Sequence, residues 1–133
     1  MSPASLSDSR VSEVMRHGVL TCQPETPLEV VARMMSEHRV HSVVVSNLDG
    51  VSESAWGIVS DVDVLRAAPE GGRDRAAGEI AGTELLTVAP DETLEHAAQL
   101  MAEHEITHLV VVSGDKPVGV ISSLDVAAWM AYA

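Results

Sequence analysis

"TCQPETPLEVVARMMSEHRVHSVVV", residues 21 to 45, occurs a second time in altered form in the same chain. Shifted by 66 positions it falls on "TVAPDETLEHAAQLMAEHEITHLVV", residues 87 to 111, with 10 of the 25 positions identical. The match resumes at an offset of 62, where "GIVSDVDV" (57–64) meets "GVISSLDV" (119–126). Only the piece between the two matches changes length. It reads "SNLDGVSESAW" in the first copy and the tight "SGDKP" in the second, as expected of a surface hairpin loop. Self-similarity of this kind means two copies of one structural unit.

Each copy reads as strand, helix, strand, strand, helix. Leu20 to Cys22 and Leu86 to Val88 are short β-type runs ending before Pro24 and Pro90. In the first copy Thr26, Pro27 and Glu29 have the pattern of an N-cap, a proline at the first helical position and the far half of a capping box. The stripe Leu28, Val31, Ala32, Met35 then recurs at helical spacing, with Leu94, Ala97, Ala98, Met101 as its counterpart. These methionines are core candidates. The β-branched runs "VHSVVV" and "ITHLVVV", followed by "WGIVS" and "VGVIS", read as buried strands. A last helix closes each copy, "DVDVLRAA" up to Pro69 and "LDVAAWMAYA". The expected organisation is a flexible N-terminus over 1–10, repeat 1 over 11–68, a polar Gly-rich linker over 69–76 and repeat 2 over 77–132.

The chain has 133 residues, enough for one core, and 46% of them are hydrophobic. Its apolar runs are far shorter than the roughly 20 residues a membrane-spanning helix needs. The Ser-rich start, Met1 to Asp8, lacks the basic and apolar regions of a signal peptide, so a cytoplasmic location is expected. The lone Cys22 agrees with a reducing compartment. Twenty acidic against 8 basic side chains give a net charge of -12, which opposes nucleic acid and anionic membranes as partners.

The segment "HEITH" (104–108) fits the H-E-x-x-H pattern of zinc peptidases. The repeat argues against that chemistry. Its partner reads "HRVHS", with Arg39 where the motif needs glutamate. Ile106, Thr107 and the valines favour a strand, which places His104 at a helix end and His108 on the next element. Beyond His108 there is neither a Glu nor a His to serve as third ligand.

What recurs is Gly-x-x-Ser-x-x-Asp, at Gly57-Ile58-Val59-Ser60-Asp61-Val62-Asp63 and Gly119-Val120-Ile121-Ser122-Ser123-Leu124-Asp125. One reading is a capping box, with Ser60 and Ser122 as N-caps and Asp63 and Asp125 reaching back to the cap N–H. The other is a ligand site. A strand entering a helix presents N–H groups and a hydroxyl suited to phosphate, and a carboxylate one turn on can accept both hydroxyls of a ribose diol. A cap can also point its carboxylate into a cleft, so the two readings are compatible.

The tandem unit, with "EHRVHSVVV" and "EHEITHLVVV" followed by "GIVSDVD" and "GVISSLD", resembles a pair of CBS domains, or Bateman module, over roughly Val11 to Tyr132. The resemblance implies an α/β (α+β) fold of two β-α-β-β-α repeats packed with pseudo-twofold symmetry. It also implies clefts between the repeats that take AMP, ADP, ATP or S-adenosylmethionine. By resemblance Asp63 and Asp125 hold ribose, and Ser60 and Ser122 lie on the phosphate side. His41, Ser42, Thr107 and His108, just before the second strand of each copy, are phosphate neighbours, and Val40 and Ile106 line the adenine pocket or belong to the core. Basic residues at these places are sparse, with Arg39, Arg66 and Lys116 the nearest cations. The proline common in this strand is replaced by Val44 and Val110.

The leading expectation is therefore a non-catalytic regulatory module that needs no cofactor and takes an adenine nucleotide as ligand. It would be a homodimer through helix faces carrying Met34, Met35, Leu100, Met101 and Trp129, acting on a regulated protein that the sequence leaves open. No nucleophile-base pair and no glycine-rich phosphate loop points to an enzyme. Two alternatives stand beside it: a metal sensor using His38, His41, His104 and His108, and an interaction module with empty clefts.

Overall fold

The computed structural model describes residues 5–48, 53–81 and 85–132. In chain order its elements are α1 (Val11–Val14), β1 (Arg16–His17), β2 (Thr21–Cys22), α2 (Leu28–His38), β3 (Ser42–Leu48), β4 (Glu53–Ser60), α3 (Asp61–Ala67), two 3₁₀ turns (Ala68–Glu70 and Gly72–Asp74), α4 (Ala77–Ala81), β5 (Thr87–Val88), α5 (Leu94–Glu103), β6 (His108–Ser113), β7 (Lys116–Ser122) and α6 (Ser123–Tyr132). They form two compact units. The first is Val19–Leu85, and the second combines residues 5–18 with 86–132.

In the first unit the sheet order is β2-β3-β4, with β2 parallel and β4 antiparallel to β3. A parallel neighbour requires a crossover, and α2 supplies it. The buried stripe Leu28, Val31 and Met35 of α2 packs on Val43, Val45 and Val59. In the second unit the order is β1-β7-β6-β5, and α5 plays the part of α2 with Leu94, Ala97 and Met101 buried against Leu109, Val111 and Ile121. Fully burying a side chain such as Leu94 contributes about 2 kcal/mol. Both hairpins carry a register shift at the same place, after Val45 and after Val111. The second closes in two residues, Gly114 and Asp115, with Gly114 at φ 62. The first hairpin's loop falls, at 49–52, outside the described residues.

The repeat extends further upstream than its strands. "VSEVM" (11–15) aligns with "AGEIA" (77–81) at the same offset of 66. The helix α1, which precedes the first copy, packs in the second unit, and α4, which precedes the second copy, packs in the first. This explains the motif glycines. A Cβ on Gly57 would stand 2.9 Å from Ala81 Cβ, and one on Gly119 would meet the Arg16 carbonyl oxygen and, at 3.0 Å, Met15 Sδ. Residues 15 and 81 are themselves repeat partners.

Three sequence expectations change in detail. The N-cap of α2 is Pro27, not Thr26, because the Thr26 hydroxyl accepts the Gln23 N–H at 3.0 Å and closes the preceding turn. In α5 Thr93, the repeat partner of Pro27, caps with its side chain, accepting the His96 N–H. Residues 5–10, at the end read as flexible, are tied down: Ser9 is buried, its carbonyl accepts the Leu94 N–H, and its hydroxyl accepts Trp129 Nε1–H at 3.1 Å. The segment 69–76, read as a linker, bonds into the first unit through Arg75 O to the Leu28 N–H.

Candidate functional site

Each unit presents one corner where a strand turns directly into a helix. In the first unit Ser60 ends β4 in extended conformation and caps α3. Its backbone N–H donates to Asp63 Oδ2 at 2.8 Å, its hydroxyl donates to the same oxygen at 3.0 Å, and the Asp63 N–H returns to Ser60 Oγ at 3.3 Å. In the second unit the Ser122 N–H donates to Asp125 Oδ2 at 2.9 Å, and the Asp125 N–H to Ser122 Oγ at 3.2 Å. The capping box read from the sequence is therefore present twice. Ser60 is buried, while Ser122, Asp63 and Asp125 are half-buried.

The residues before the second strand stand beside these corners. Ser42 is the register partner of Ser60, and His108 that of Ser122. The Asp61 N–H donates to the His41 carbonyl at 2.9 Å, and the Ser123 N–H does the same to Thr107. These bonds tie the strand entrance to the first residue of the helix in both units. Sequence reasoning thus brings Ser60, Asp63, His41 and Ser42 together at one corner, and Ser122, Asp125, Thr107 and His108 at the other.

Val40 and Ile106 pack half-buried against their own unit's core.

The two corners differ at the strand entrance, His41 and Ser42 against Thr107 and His108, and at both positions the motif left as variable, of which 61 is the polar one. Position 61 is an aspartate, and His41 Nδ1 donates to its Oδ2 at 2.9 Å, with both side chains at least half exposed. The repeat partner is Ser123, beside a Thr107 Oγ1 to His108 Nδ1 hydrogen bond of 2.9 Å. A position-by-position reading of the two motif copies would have revealed the difference. Just upstream, Arg39 and Glu105 are repeat partners that both adopt the left-handed conformation, at φ 54 and 53. They end α2 and α5 and turn the chain into the strand.

Among the described residues no group of three or more His, Cys, Asp or Glu side chains is placed to hold a metal ion. His104 caps α5 with its Nδ1 hydrogen-bonded to the Leu100 carbonyl, and His38 is exposed at the end of α2. His104 and His108 thus lie on different elements.

A mixed α/β unit repeated in tandem, each copy ending in a capped Ser-x-x-Asp corner, defines a class of protein. The family model for the CBS domain matches residues 11–70 and 77–132, and the chain belongs to that family as a tandem CBS pair. CBS domain proteins are generally regulatory, non-catalytic modules. The chain is 32% identical over 121 residues to CBS domain-containing protein YhcV of Bacillus subtilis, covering 90% of this chain and 84% of that protein. Its fold matches the CBS domain protein PAE2072 from Pyrobaculum aerophilum, solved in complex with AMP, with a TM-score of 0.79, 30% identity and coverage of 87% and 88%. An uncharacterized conserved protein from Pyrococcus horikoshii matches with a TM-score of 0.81, 26% identity and coverage of 94% and 93%. In several other curated relatives the matched region is a third of the protein's length or less.

Proposed function

We propose that this chain is a non-catalytic sensor that binds an adenosine-containing small molecule, drawn from AMP, ADP, ATP and S-adenosylmethionine, at its Ser-x-x-Asp corners and passes the bound state to a regulated protein. The observation that carries this reading is the AMP complex of the 30% identical relative, which matches over most of both chains. The corner geometry supports it. The bonds from Ser60 and Ser122 fall on Oδ2 of Asp63 and Asp125, so Oδ1 of each half-buried carboxylate is the oxygen a ribose diol would meet. The hydroxyls of Ser60 and Ser122, with Ser42, Thr107, His41 and His108 nearby, would lie on the phosphate side. Few cations stand near, which favours a monophosphate over a triphosphate.

The same reading includes a homodimer, on a surface different from the one expected. Met35 and Met101 are core residues and Trp129 is bonded to Ser9. Among the described residues the large apolar side chains most open to solvent are Leu65, Leu124, Met130 and Tyr132, ahead of Val30 and Val62, and three of these four lie on α6, a helix with no buried residue. We place the self-contact there. No helix among the described residues is long and apolar enough to cross a membrane. With the charge of -12, this supports a cytoplasmic protein without nucleic-acid or membrane partners.

Thermal denaturation in the presence of AMP, ADP, ATP, S-adenosylmethionine or zinc tests the reading. A true ligand raises the midpoint progressively with its concentration. Stabilisation by an adenosine compound is expected. A response to zinc alone, or to none of the five, would refute it.

A further inference from the structure

We propose that residues 5–10 form a strap whose hold on the second unit tightens when the Ser122–Asp125 corner is occupied, with Trp129 as the positioning residue that joins the two. The inference rests on the adenosine reading above and names the element through which the bound state is read. Its basis is the way α6 is anchored. The inward side of that helix carries Asp125, Val126 and Trp129, which are half-buried, and no residue of the helix is fully buried. Asp125 belongs to the corner. Trp129, one turn further along, donates its Nε1–H to the hydroxyl of the buried Ser9 at 3.1 Å.

The strap closes the start of α5. The carbonyls of Ser9 and Leu6 accept the Leu94 and Glu95 N–H groups at 2.9 and 3.1 Å, and Leu6 packs half-buried against the core. In the first unit residues 71–76 occupy the matching place, with the Arg75 carbonyl accepting the Leu28 N–H, but the contact with the last helix is built differently. The repeat partners of Trp129 and Leu6 are Ala67 and Gly72. Ala67 is buried, and a Cβ on Gly72 would stand 2.7 Å from its Cβ. The second unit replaces that close packing with an indole and a hydroxyl, a bond that a small shift of α6 breaks. A helix without a fully buried residue opens at low cost. A ligand held by Asp125 restrains α6, so the strap docks on a helix that has already lost its freedom, and the coupling is positive with no change of fold. By linkage, a docked strap raises ligand affinity by the same factor.

Limited digestion of the full chain with trypsin, with and without saturating AMP, reads the strap directly. Arg10 is exposed and is the first basic residue of the chain. Val11 beside it is fully buried, and its N–H donates to the Glu92 carbonyl, so cutting between them requires the strap to lift. AMP should slow cleavage after Arg10 about fivefold or more in the wild type. Trp129→Phe and Ser9→Ala each remove the Nε1 hydrogen bond. Both should lose most of that protection and bind AMP about fivefold more weakly in calorimetric titration. If AMP binds the wild type and leaves cleavage after Arg10 unchanged, the strap is overturned while the adenosine reading stands. The same degree of protection by AMP in the wild type and in both variants overturns the part given to Trp129, because a purely structural loss speeds cleavage alike with and without AMP. Absence of AMP binding to the wild type removes both.

Discussion

Asp125 accepts the backbone N–H of Ser122 through Oδ2 and returns its own N–H to Ser122 Oγ, so one residue pair satisfies two helix-end donors at once. Ser60 and Asp63 do the same in the other unit. The carboxylate that would meet a ligand is therefore also a structural group. Replacing Ser60 or Ser122 with Ala should cost about 1 kcal/mol each in urea unfolding.

The motif glycines are required by packing. Gly119→Ala places a methyl against the Arg16 carbonyl oxygen, on backbone that pairs with β7 and cannot yield cheaply. Gly57→Ala meets the methyl of Ala81 at 2.9 Å. Both should destabilise by about 1 to 3 kcal/mol in chemical denaturation, with Gly119→Ala the larger. Equal and negligible effects would refute this account of the motif glycines.

Arg39 and Glu105 hold the left-handed conformation with a full side chain. Glycine adopts that region without the steric penalty. Arg39→Gly and Glu105→Gly should each stabilise the protein, by up to about 1 kcal/mol, measured as a shift of the urea midpoint. A loss of stability would mean that the long side chains make contacts worth more than the strain.

Burial pushes the Cys22 thiol up from 9.0 to about 11, against a smaller opposing effect of the hydrogen bond with Thr26. The unfolded chain then loses its proton first as pH rises. The stability contributed by the protonated thiol is fully present below pH 9 and declines between about pH 9 and 11, by up to about 3 kcal/mol. The difference in stability between wild type and Cys22→Ala, followed from pH 8 to 11 by urea unfolding, should narrow over that window. A constant difference would contradict it.

The β-α-β-β-α order and the core stripes were legible because periodicity and the internal repeat state them directly. Of the stripes as read, Leu28, Val31 and Met35 and their partners Leu94, Ala97 and Met101 are buried, while Ala32 and Ala98 are half-buried. The Ser-x-x-Asp corners were legible because capping is a local interaction. The placement of α1 and α4 was not, since nothing local to Val11–Val14 or Ala77–Ala81 says which copy's sheet it will cover. The cap of α2 was misassigned to Thr26 because a hydroxyl before proline suits either a cap or a turn, and the turn prevailed. The His41–Asp61 pair spans residues 20 positions apart, so it became visible only once β3 and α3 were in place.

The most direct measurement is a calorimetric titration of AMP into the wild-type chain and into the double variant Asp63→Asn, Asp125→Asn. Asparagine keeps an oxygen for the cap N–H but removes the charge that strengthens hydrogen bonds from a ribose diol. The account predicts saturable AMP binding to the wild type and at least tenfold weaker binding to the folded double variant. Equal AMP affinity for the two proteins, or no binding to the wild type, would contradict it.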